Sequence, residues 1–398
     1  MSVSINEFIH LQLNEFCPEI HARRLQAVMD VAAGLTKSKQ LTIVEIGRHL
    51  KSDIKLKYRV KKVDRLLGNK NLYSELDVLY TGLSNYVFKY LAQDKYSPIV
   101  VDLCFLKDTH DIQMLSAEIA TQGRTVPLYR EVFKVGELKG KEKNFISKLS
   151  KCIPDDRDVL IIMDAGFGDD WFEAIESQKW FWLVRARSGK YIKLSDEEEW
   201  REASDLFDYA KTRAKCYENA YITKSHSRSC RIILKKGSEI SKRKKPIKLP
   251  RNYNSANGNY KRLAKEPWIL ATNLPKAYNT TQIIYAYKKR MQIEESFRDI
   301  KSTRYGLGSR YIQTRCIYRW GIAMLIAAIA QITLWIIGII GHSQGFQKIF
   351  QVNTVRDKKQ FSYFYLGQLI VEFNKIDQLT IDYENLRATI ETELARKW

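Results

Sequence analysis

Residues 159–187, "VLIIMDAGFGDDWFEAIESQKWFWLVRAR", contain the pattern that decides the fold. The apolar run "VLIIM" predicts a buried strand that ends at Asp164, "DDWFEAIES" predicts a helix, and "WFWLVRAR" predicts a second strand. A strand, a helix and a strand in succession are typical of an α/β sheet.

Three further strands and a helix are predicted before this stretch. Residues 97–106, "SPIVVDLCFL", indicate a mostly buried strand, and residues 113–120 and 125–135 alternate as the strands of a meander do. Residues 142–152 have helical spacing. Three strands, a helix, a strand, a helix and a strand in this order predict a mixed α/β sheet, in which the fourth strand can lie beside the first.

Helical patterns flank the sheet on both sides. Residues 1–92 carry apolar side chains at three-and-four spacing, and residues 311–398 are mainly helical as well. Within the first region, residues 41–69 have the character of a helix-turn-helix. We therefore predict a helical domain at 1–92, a domain containing the sheet at 93–310, and a C-terminal helical region at 311–398.

The net charge indicates a polyanionic partner. The chain has 66 Lys and Arg against 45 Asp and Glu, a net charge of +21, which favours nucleic acid first and an anionic membrane second. Nine of the basic residues fall between positions 48 and 70, where phosphate contact is favoured over a merely solvated basic face. The residues predicted to contact phosphate are Lys57, Arg59, Lys61, Lys62 and Arg65.

A basic insertion interrupts the predicted sheet at about 188–265. Between positions 224 and 265 there are 14 Lys and Arg and a single acid, Glu239. This part includes "KRKKPIK" and "RNYNSANGNY", which predict a partly flexible segment. The sheet resumes at residues 267–275, "PWILATNLP".

One segment is apolar enough to span a bilayer. Residues 320–340, "WGIAMLIAAIAQITLWIIGII", carry no charge. The alternative is a helix buried on all sides in a large core. The polar flanks and the lack of a second such segment favour the buried helix, and therefore a protein without a membrane span.

The cysteines give no sign of a disulfide framework. The six cysteines contain no CxxC pair, and no secretory leader is recognisable. We therefore expect a protein of the reducing cytoplasm with neither disulfides nor a zinc site.

Two aspartates follow predicted buried strands. Asp102 follows "IVV" and Asp164 follows "VLIIM". A carboxylate at the end of a buried strand is costly unless it is paired. One such residue alone is more often a turn or capping Asp, but two in one sheet predict carboxylates that face each other and share a divalent cation.

The stretch at 283–302, "IIYAYKKRMQIEESFRDIKS", predicts one helix with an ionic stripe beside its core stripe. At about 100° per residue, the stripe falls within an arc of about 80°. The core stripe is predicted at Ala286, Ile293, Phe297 and Ile300. The ionic stripe is predicted at Tyr287, Arg290, Glu294, Arg298 and Lys301.

This helical phase distinguishes Glu294 from its neighbour. Glu294 is predicted to flank the core, where it can reach a metal ion, whereas Glu295 and Asp299 are predicted to face solvent. One acid in a row of cations suits metal-assisted phosphodiester chemistry. The alternative is a surface of helical ion pairs, from Glu294 to Arg290 and to Arg298.

At these residues the sequence resembles the bacterial insertion-sequence transposases of the Asp-Asp-Glu type. More narrowly, it resembles the branch with a Tyr-Arg-Glu-Lys signature, which includes the transposase of the tetracycline-resistance composite transposon. The signature intervals are met by Tyr287, Arg290, Glu294 and Lys301. Segments such as "FCPEIHARRL", "PIVVD", "DAGF", "KEPWILATNLP" and "YGLG" resemble that branch in the same order along nearly the whole chain.

The resemblance implies a fold and an activity. It implies a ribonuclease H-like core with a mostly β insertion between the second Asp and the Glu, preceded by a domain that binds transposon ends. It also implies cut-and-paste transposition on double-stranded DNA, with nicking, hairpin formation, hairpin opening and joining to target DNA. A homodimer holding both ends is implied, with residues 311–398 as a candidate dimerisation region, in the cytoplasm and at the nucleoid of a bacterium.

The resemblance also assigns roles to residues. Asp102, Asp164 and Glu294 would bind two Mg²⁺ ions, with Mn²⁺ as a substitute. Trp268 would stack on a base flipped out during hairpin formation. Contacts with backbone phosphates would come from Tyr287, Arg290, Arg298 and Lys301. A DNA-binding derivative without catalysis, a membrane protein and a structure-specific nuclease are the alternatives.

Overall fold

The structure, a computed structural model, divides the chain into two compact units. It describes residues 5–90, 96–107, 109, 111–194, 199–236, 266–352, 354 and 359–395. Unit 1 consists of Met1–Val159 together with Lys289–Trp398, and unit 2 consists of Leu160–Lys288. Unit 1 is thus built from both ends of the chain, and the three domain ranges given above stay predictions.

The first part of unit 1 is helical, as predicted for its described residues. The side chains of Thr42 and Asn69 accept hydrogen bonds from backbone amides at the starts of the third and fifth helices, which fixes where those helices begin. The six helices are α1 (Ile5–Phe16), α2 (Ala22–Ser38), α3 (Ile43–His49), α4 (Leu56–Leu67), α5 (Lys70–Ser74) and α6 (Leu76–Tyr90).

A three-stranded antiparallel meander follows in unit 1. Its strands are β1 (Tyr96–Phe105), β2 (Ile112–Ala120) and β3 (Thr125–Lys134), in the order β3-β2-β1, and α7 (Glu142–Lys151) comes after them. The meander is confirmed, and β1 matches the strand predicted at 97–106, but the placement of Asp102 at the end of a strand is wrong. Strand β1 continues to Phe105 because β2 pairs with it as far as Gln113, and Asp102 lies opposite Ser116 within the ladder.

Unit 2 contains the predicted strand, helix and strand. Strand β4 (Asp158–Met163) and β5 (Phe181–Ala186) are parallel, and α8 (Asp169–Ser177) connects them. The insertion is mostly β in its described residues, with β6 (Tyr191–Lys193), β7 (Arg201–Glu202), β8 (Lys215–Ile222) and β9 (Arg228–Lys235). The stretch at 237–265, with "KRKKPIK" and "RNYNSANGNY", lies outside the described residues.

The sheet resumes after the insertion, as predicted. Strand β10 (Trp268–Thr272) is antiparallel to both β5 and β9, which gives unit 2 the strand order β4-β5-β10-β9-β8-β6-β7. Helix α9 (Thr280–Lys288) ends the unit. The remaining helices belong to unit 1: α10 (Met291–Lys301), α11 (Ile317–Ser343), α12 (Gln347–Phe350), α13 (Tyr363–Glu372) and α14 (Leu386–Ala395).

The single helix predicted for 283–302 is wrong. Helix α9 ends at Lys288 and α10 begins at Met291. At the break, the amides of Gln292 and Ile293 donate to carbonyls three residues earlier, at 3.0 and 3.2 Å, instead of four. This tighter turn separates Tyr287, in unit 2, from the ionic residues of α10, in unit 1.

Helix α11 is the core of unit 1. Its mean hydropathy of 2.4 over 18 residues would suffice to cross a membrane, but that whole stretch is buried inside the chain. It packs against α2, α13 and β3. A Cβ on Gly338 would lie 1.7 Å from the Tyr363 carbonyl oxygen, so α11 and α13 touch backbone to backbone. The prediction of a buried helix is confirmed.

Candidate active site

Asp102 lies where β1 emerges from the core of unit 1. The three residues before it are fully buried, whereas Leu103 and Phe105 after it are exposed. Its Oδ1 accepts a hydrogen bond from the backbone amide of Leu103 at 2.8 Å, and its Oδ2 accepts one from Arg290 Nη1 at 3.1 Å. Both carboxylate oxygens are therefore engaged.

Arg290 joins Asp102 to the second acid of this unit. While Nη1 contacts Asp102, Arg290 Nη2 donates to Glu294 Oε1 at 2.6 Å. Arg290 is only 7% exposed. The Glu294 side chain is 45% exposed and that of Glu295 is 35% exposed, so the prediction that Glu294 flanks the core while Glu295 faces solvent is wrong. One buried guanidinium thus bridges two of the three predicted acids, in a charge-assisted geometry.

Helix α10 is fixed by apolar and polar contacts at once. The predicted core residues Ile293, Phe297 and Ile300 are buried. Ser296 Oγ accepts a hydrogen bond from the amide of Thr125 at 3.0 Å and pairs with its hydroxyl at 2.8 Å. The helix that carries Glu294 is therefore tied to the start of β3.

Asp299 is buried, so the prediction that it faces solvent is wrong. Arg124, in the turn between β2 and β3, donates from Nε to Asp299 Oδ2 at 2.7 Å. Burial raises the pKa of Asp299 to about 6, although Arg124 opposes the shift. The helical phase alone could not predict this contact, because Arg124 lies in a turn that is far from Asp299 in the sequence.

Arg298 and Lys301, the other cations of α10, contact residues other than Glu294. Arg298 is exposed and pairs with Glu295 at 2.7 Å, so of the two alternative ion pairs only that of Glu294 with Arg290 forms. Lys301 lies beside the buried Cys104 of β1. Burial raises the pKa of the Cys104 thiol to about 11, and the charge of Lys301 acts in the opposite direction.

Asp164 forms a second cluster, within unit 2. It directly follows β4, as predicted, and its Oδ1 accepts a hydrogen bond from the Tyr287 hydroxyl at 3.4 Å. Arg187 Nη1 lies 3.9 Å from Asp164 Oδ2. The sequence reasoning missed Arg187, although it follows β5 directly and parallel strands present their carboxyl ends at one edge.

Trp268 belongs to the same cluster as Asp164. It is the first residue of β10, is half-buried, and packs edge-to-face on Tyr287 with ring centroids 5.2 Å apart. Tyr287 thus contacts Trp268 with its ring and Asp164 with its hydroxyl. An aromatic ring stands beside the carboxylate in this unit.

The acids suit a hard divalent cation by their chemistry. All three candidate ligands are carboxylates, the donors that Mg²⁺ and Mn²⁺ prefer. Among the residues that the structure describes, no group of three or more His, Cys, Asp or Glu side chains could hold a metal ion. Asp102 and Glu294 are brought together by Arg290 in unit 1 and Asp164 lies in unit 2, so their convergence on metal ions stays a prediction.

The predicted phosphate contacts of α4 differ in their surroundings. Lys57, Lys61 and Arg65 are exposed and recur at every fourth residue, which places them along one face. Arg59 instead donates to the carbonyls of Arg48 and Leu50, at 3.3 and 3.1 Å, where it stabilises the end of α3. Lys62 pairs with Asp30 of α2, with Nζ 2.7 Å from Oδ2.

The comparison with known proteins gives a family. A model of the transposase DDE domain matches residues 112–329, more than half of the chain. The matched range begins after Asp102 and includes Asp164, Trp268 and α10 with Glu294. No curated protein matches the chain. The domain match spans β2 and β3 of the meander, the β insertion and α10, and the chain therefore belongs to the family of transposases with a DDE domain.

Proposed function

We propose that this protein is a cut-and-paste DNA transposase of the Tyr-Arg-Glu-Lys branch, related to the transposase of the tetracycline-resistance composite transposon. The observation that carries the proposal is the bridge from Asp102 through Arg290 to Glu294, which joins signature residues to the first acid. The family match supports a nucleic acid substrate that is cut and joined. The net charge of +21 agrees with DNA as the partner.

In this proposal Asp164 joins Asp102 and Glu294 as the third ligand. Two Mg²⁺ ions held by these acids would supply an activated water or 3′-hydroxyl and would stabilise the leaving oxygen. The carboxylates hold and orient the ions, while Tyr287, Arg298 and Lys301 grip backbone phosphates beside the cut. The same site then nicks the end, forms and opens a hairpin, and joins the end to target DNA.

The proposal extends to the partners of the protein. The exposed face of α4 (Lys57, Lys61 and Arg65) contacts phosphates of the transposon end repeats, and a homodimer holds the two ends together. The reaction takes place in the bacterial cytoplasm at the nucleoid. The buried position of α11 supports a protein without a membrane span.

The test is an incubation of purified protein with the end of its element and Mg²⁺. Nicked, hairpin and joined products are resolved on a denaturing gel. We expect Asp102→Asn, Asp164→Asn and Glu294→Gln each to lower nicking by more than about 100-fold. Substituting a residue that only supports a metal ligand already lowers activity by up to about 100-fold, and these residues are the proposed ligands themselves. End binding, measured by gel shift, should persist.

Glu295→Gln is the matched control on the same helix. It should nick at the rate of the unsubstituted protein, because Glu295 pairs with Arg298 instead of Arg290. Nicking by Glu294→Gln together with inactive Glu295→Gln would contradict the assignment. A structure-specific nuclease is excluded if joined products form.

The same gel tests Trp268. We expect Trp268→Ala to nick normally and to stall before the hairpin, because the extruded base loses its aromatic platform, a stacking contact worth about 1–3 kcal/mol. Trp268→Phe should restore the hairpin. A normal hairpin yield from Trp268→Ala would remove the stacking role.

A further inference from the structure

Arg290 uses its two terminal nitrogens on the two acids of unit 1. Nη1 lies 3.1 Å from Asp102 Oδ2, and Nη2 lies 2.6 Å from Glu294 Oε1. The arginine side chain is only 8% exposed, and that of Asp102 is 17% exposed. The charge of a nearly buried guanidinium is therefore balanced by the same oxygens that the proposed function assigns to metal ions.

A metal ion and Arg290 compete for these oxygens. Asp102 Oδ1 already accepts a hydrogen bond from the Leu103 amide and Oδ2 accepts one from Arg290, so a cation that binds Asp102 must share these oxygens with both donors. Two positive charges beside the same carboxylates also repel each other. Metal binding to the protein alone is therefore disfavoured.

Displacing the guanidinium is costly unless another anion receives it. A buried arginine that loses its partner is left as an uncompensated charge, which is strongly unfavourable. A backbone phosphate of DNA is a suitable replacement, because its oxygens match the planar fork of arginine. With a phosphate in place, Arg290 can leave both carboxylates without losing its charge balance.

We infer that Arg290 is a positioning residue that couples metal binding to DNA binding. Without DNA its guanidinium occupies Asp102 and Glu294, and with DNA it moves to a phosphate and opens both carboxylates to the ion. The inference rests on the proposed function, in which these acids hold metal. Coupling of this kind is reciprocal, so the metal must strengthen DNA binding by the same factor.

The test measures Mn²⁺ binding to the full-length protein by electron paramagnetic resonance of the free ion, with and without DNA. The DNA is a pre-cleaved transposon end that lacks the 3′-hydroxyl, so no reaction follows. We expect DNA to raise the Mn²⁺ affinity of the unsubstituted protein at least about tenfold. Mn²⁺ should raise the DNA affinity by the same factor.

Arg290→Gln should bind Mn²⁺ without DNA at least about tenfold more tightly than the unsubstituted protein, and DNA should then add less than about twofold. Arg290→Lys keeps the charge but lacks the planar fork that places one nitrogen on each carboxylate, so an intermediate coupling is expected. Arg290→Lys takes the place of Arg290→Gln if circular dichroism shows that Arg290→Gln is unfolded. Arg304→Gln removes the same charge from an exposed position that follows α10 and should leave Mn²⁺ affinity within about twofold, because the Arg304 side chain lies over the ring of Tyr305.

The outcomes separate the inference from the proposed function. Equal Mn²⁺ affinity with and without DNA, unchanged in Arg290→Gln, overturns the coupling. The proposed metal site still stands in that case if Glu294→Gln and Asp102→Asn lose Mn²⁺ binding. Unaltered Mn²⁺ binding in both of those variants would instead overturn the proposed function.

Discussion

Asp299 gives the stability of unit 1 a definite pH dependence. Burial raises its pKa from 3.8 to about 6, so the folded state binds this proton more tightly than the unfolded state. As pH rises from about 4 to 6, the unfolded chain releases the proton first and folding stability falls. A shift of about 2 units corresponds to about 3 kcal/mol.

The prediction is tested by urea unfolding of the protein and of Asp299→Asn between pH 4 and 7. We expect the free energy of unfolding of the unsubstituted protein to fall relative to the variant by up to about 3 kcal/mol over this interval. Other titrating groups cancel in the difference. Parallel curves for the two proteins would show that Arg124 outweighs burial at Asp299.

Sequence reasoning resolves the single residues of α10 only in part. The helical phase predicted Glu294 beside the core and Glu295 in solvent, but the Glu294 side chain is 45% exposed and that of Glu295 is 35% exposed. The two acids differ instead in their partners, Arg290 and Arg298. The same phase failed for Asp299, because its partner comes from a turn about 175 positions earlier in the chain. Which acids meet depends on tertiary contacts that no local spacing contains.

At the scale of elements, the crossing of α11 and α13 depends on two glycines. A Cβ on Gly367 would lie 1.9 Å from the Leu334 carbonyl oxygen, and one on Gly338 would lie 1.7 Å from that of Tyr363. These obstacles are backbone atoms, which cannot rotate away. The helices must separate to accept any larger residue.

Gly367→Ala should therefore lower the free energy of unfolding by about 1–3 kcal/mol or more, as overpacking does. Helix propensity alone predicts the opposite, a gain of about 1 kcal/mol, so the sign of the change is decisive. Urea unfolding measures it. Gly166→Ala is the control, since no atom lies within 4 Å of its Cβ position and its φ is not in the left-handed range.

The order of strands and helices was predictable because apolar runs and turns are local signals. The meander, the strand-helix-strand of unit 2 and the buried α11 all followed from such runs. The position of Asp102 inside β1 did not, since it depends on pairing with Ser116 of β2. Nor did the break after Lys288, where backbone amides donate to carbonyls three residues earlier instead of four.

At the scale of the molecule, the N-terminal helices share their core with the C-terminal ones. Helix α2 packs on α11, and Ser84 of α6 donates to the carbonyl of Leu128 in β3 at 2.8 Å. Leu41 donates from its amide to the carbonyl of Leu307 at 2.8 Å. Composition and periodicity suggested a separate helical domain at 1–92, because they reveal an apolar face but not what covers it.

A fragment of residues 1–92 should therefore not fold by itself. It would expose the side of α2 that packs on α11, an apolar loss that a small domain cannot offset. We expect a broad, non-cooperative unfolding curve and poor dispersion of amide signals by nuclear magnetic resonance, against a cooperative transition for the full chain. A cooperative, well-dispersed fragment would show that the predicted boundary is a folding boundary.

The assembly of unit 1 from both ends of the chain has a consequence for synthesis. A ribosome releases residues in order, so α2 and β3 emerge long before α11 and α13, which complete their core. Asp102 likewise cannot form its contact with Arg290, or come near Glu294, until those later residues have been synthesised. A nascent chain therefore carries unit 2 in full before unit 1 can close, and a translation product that ends before Arg290 would lack the acid cluster.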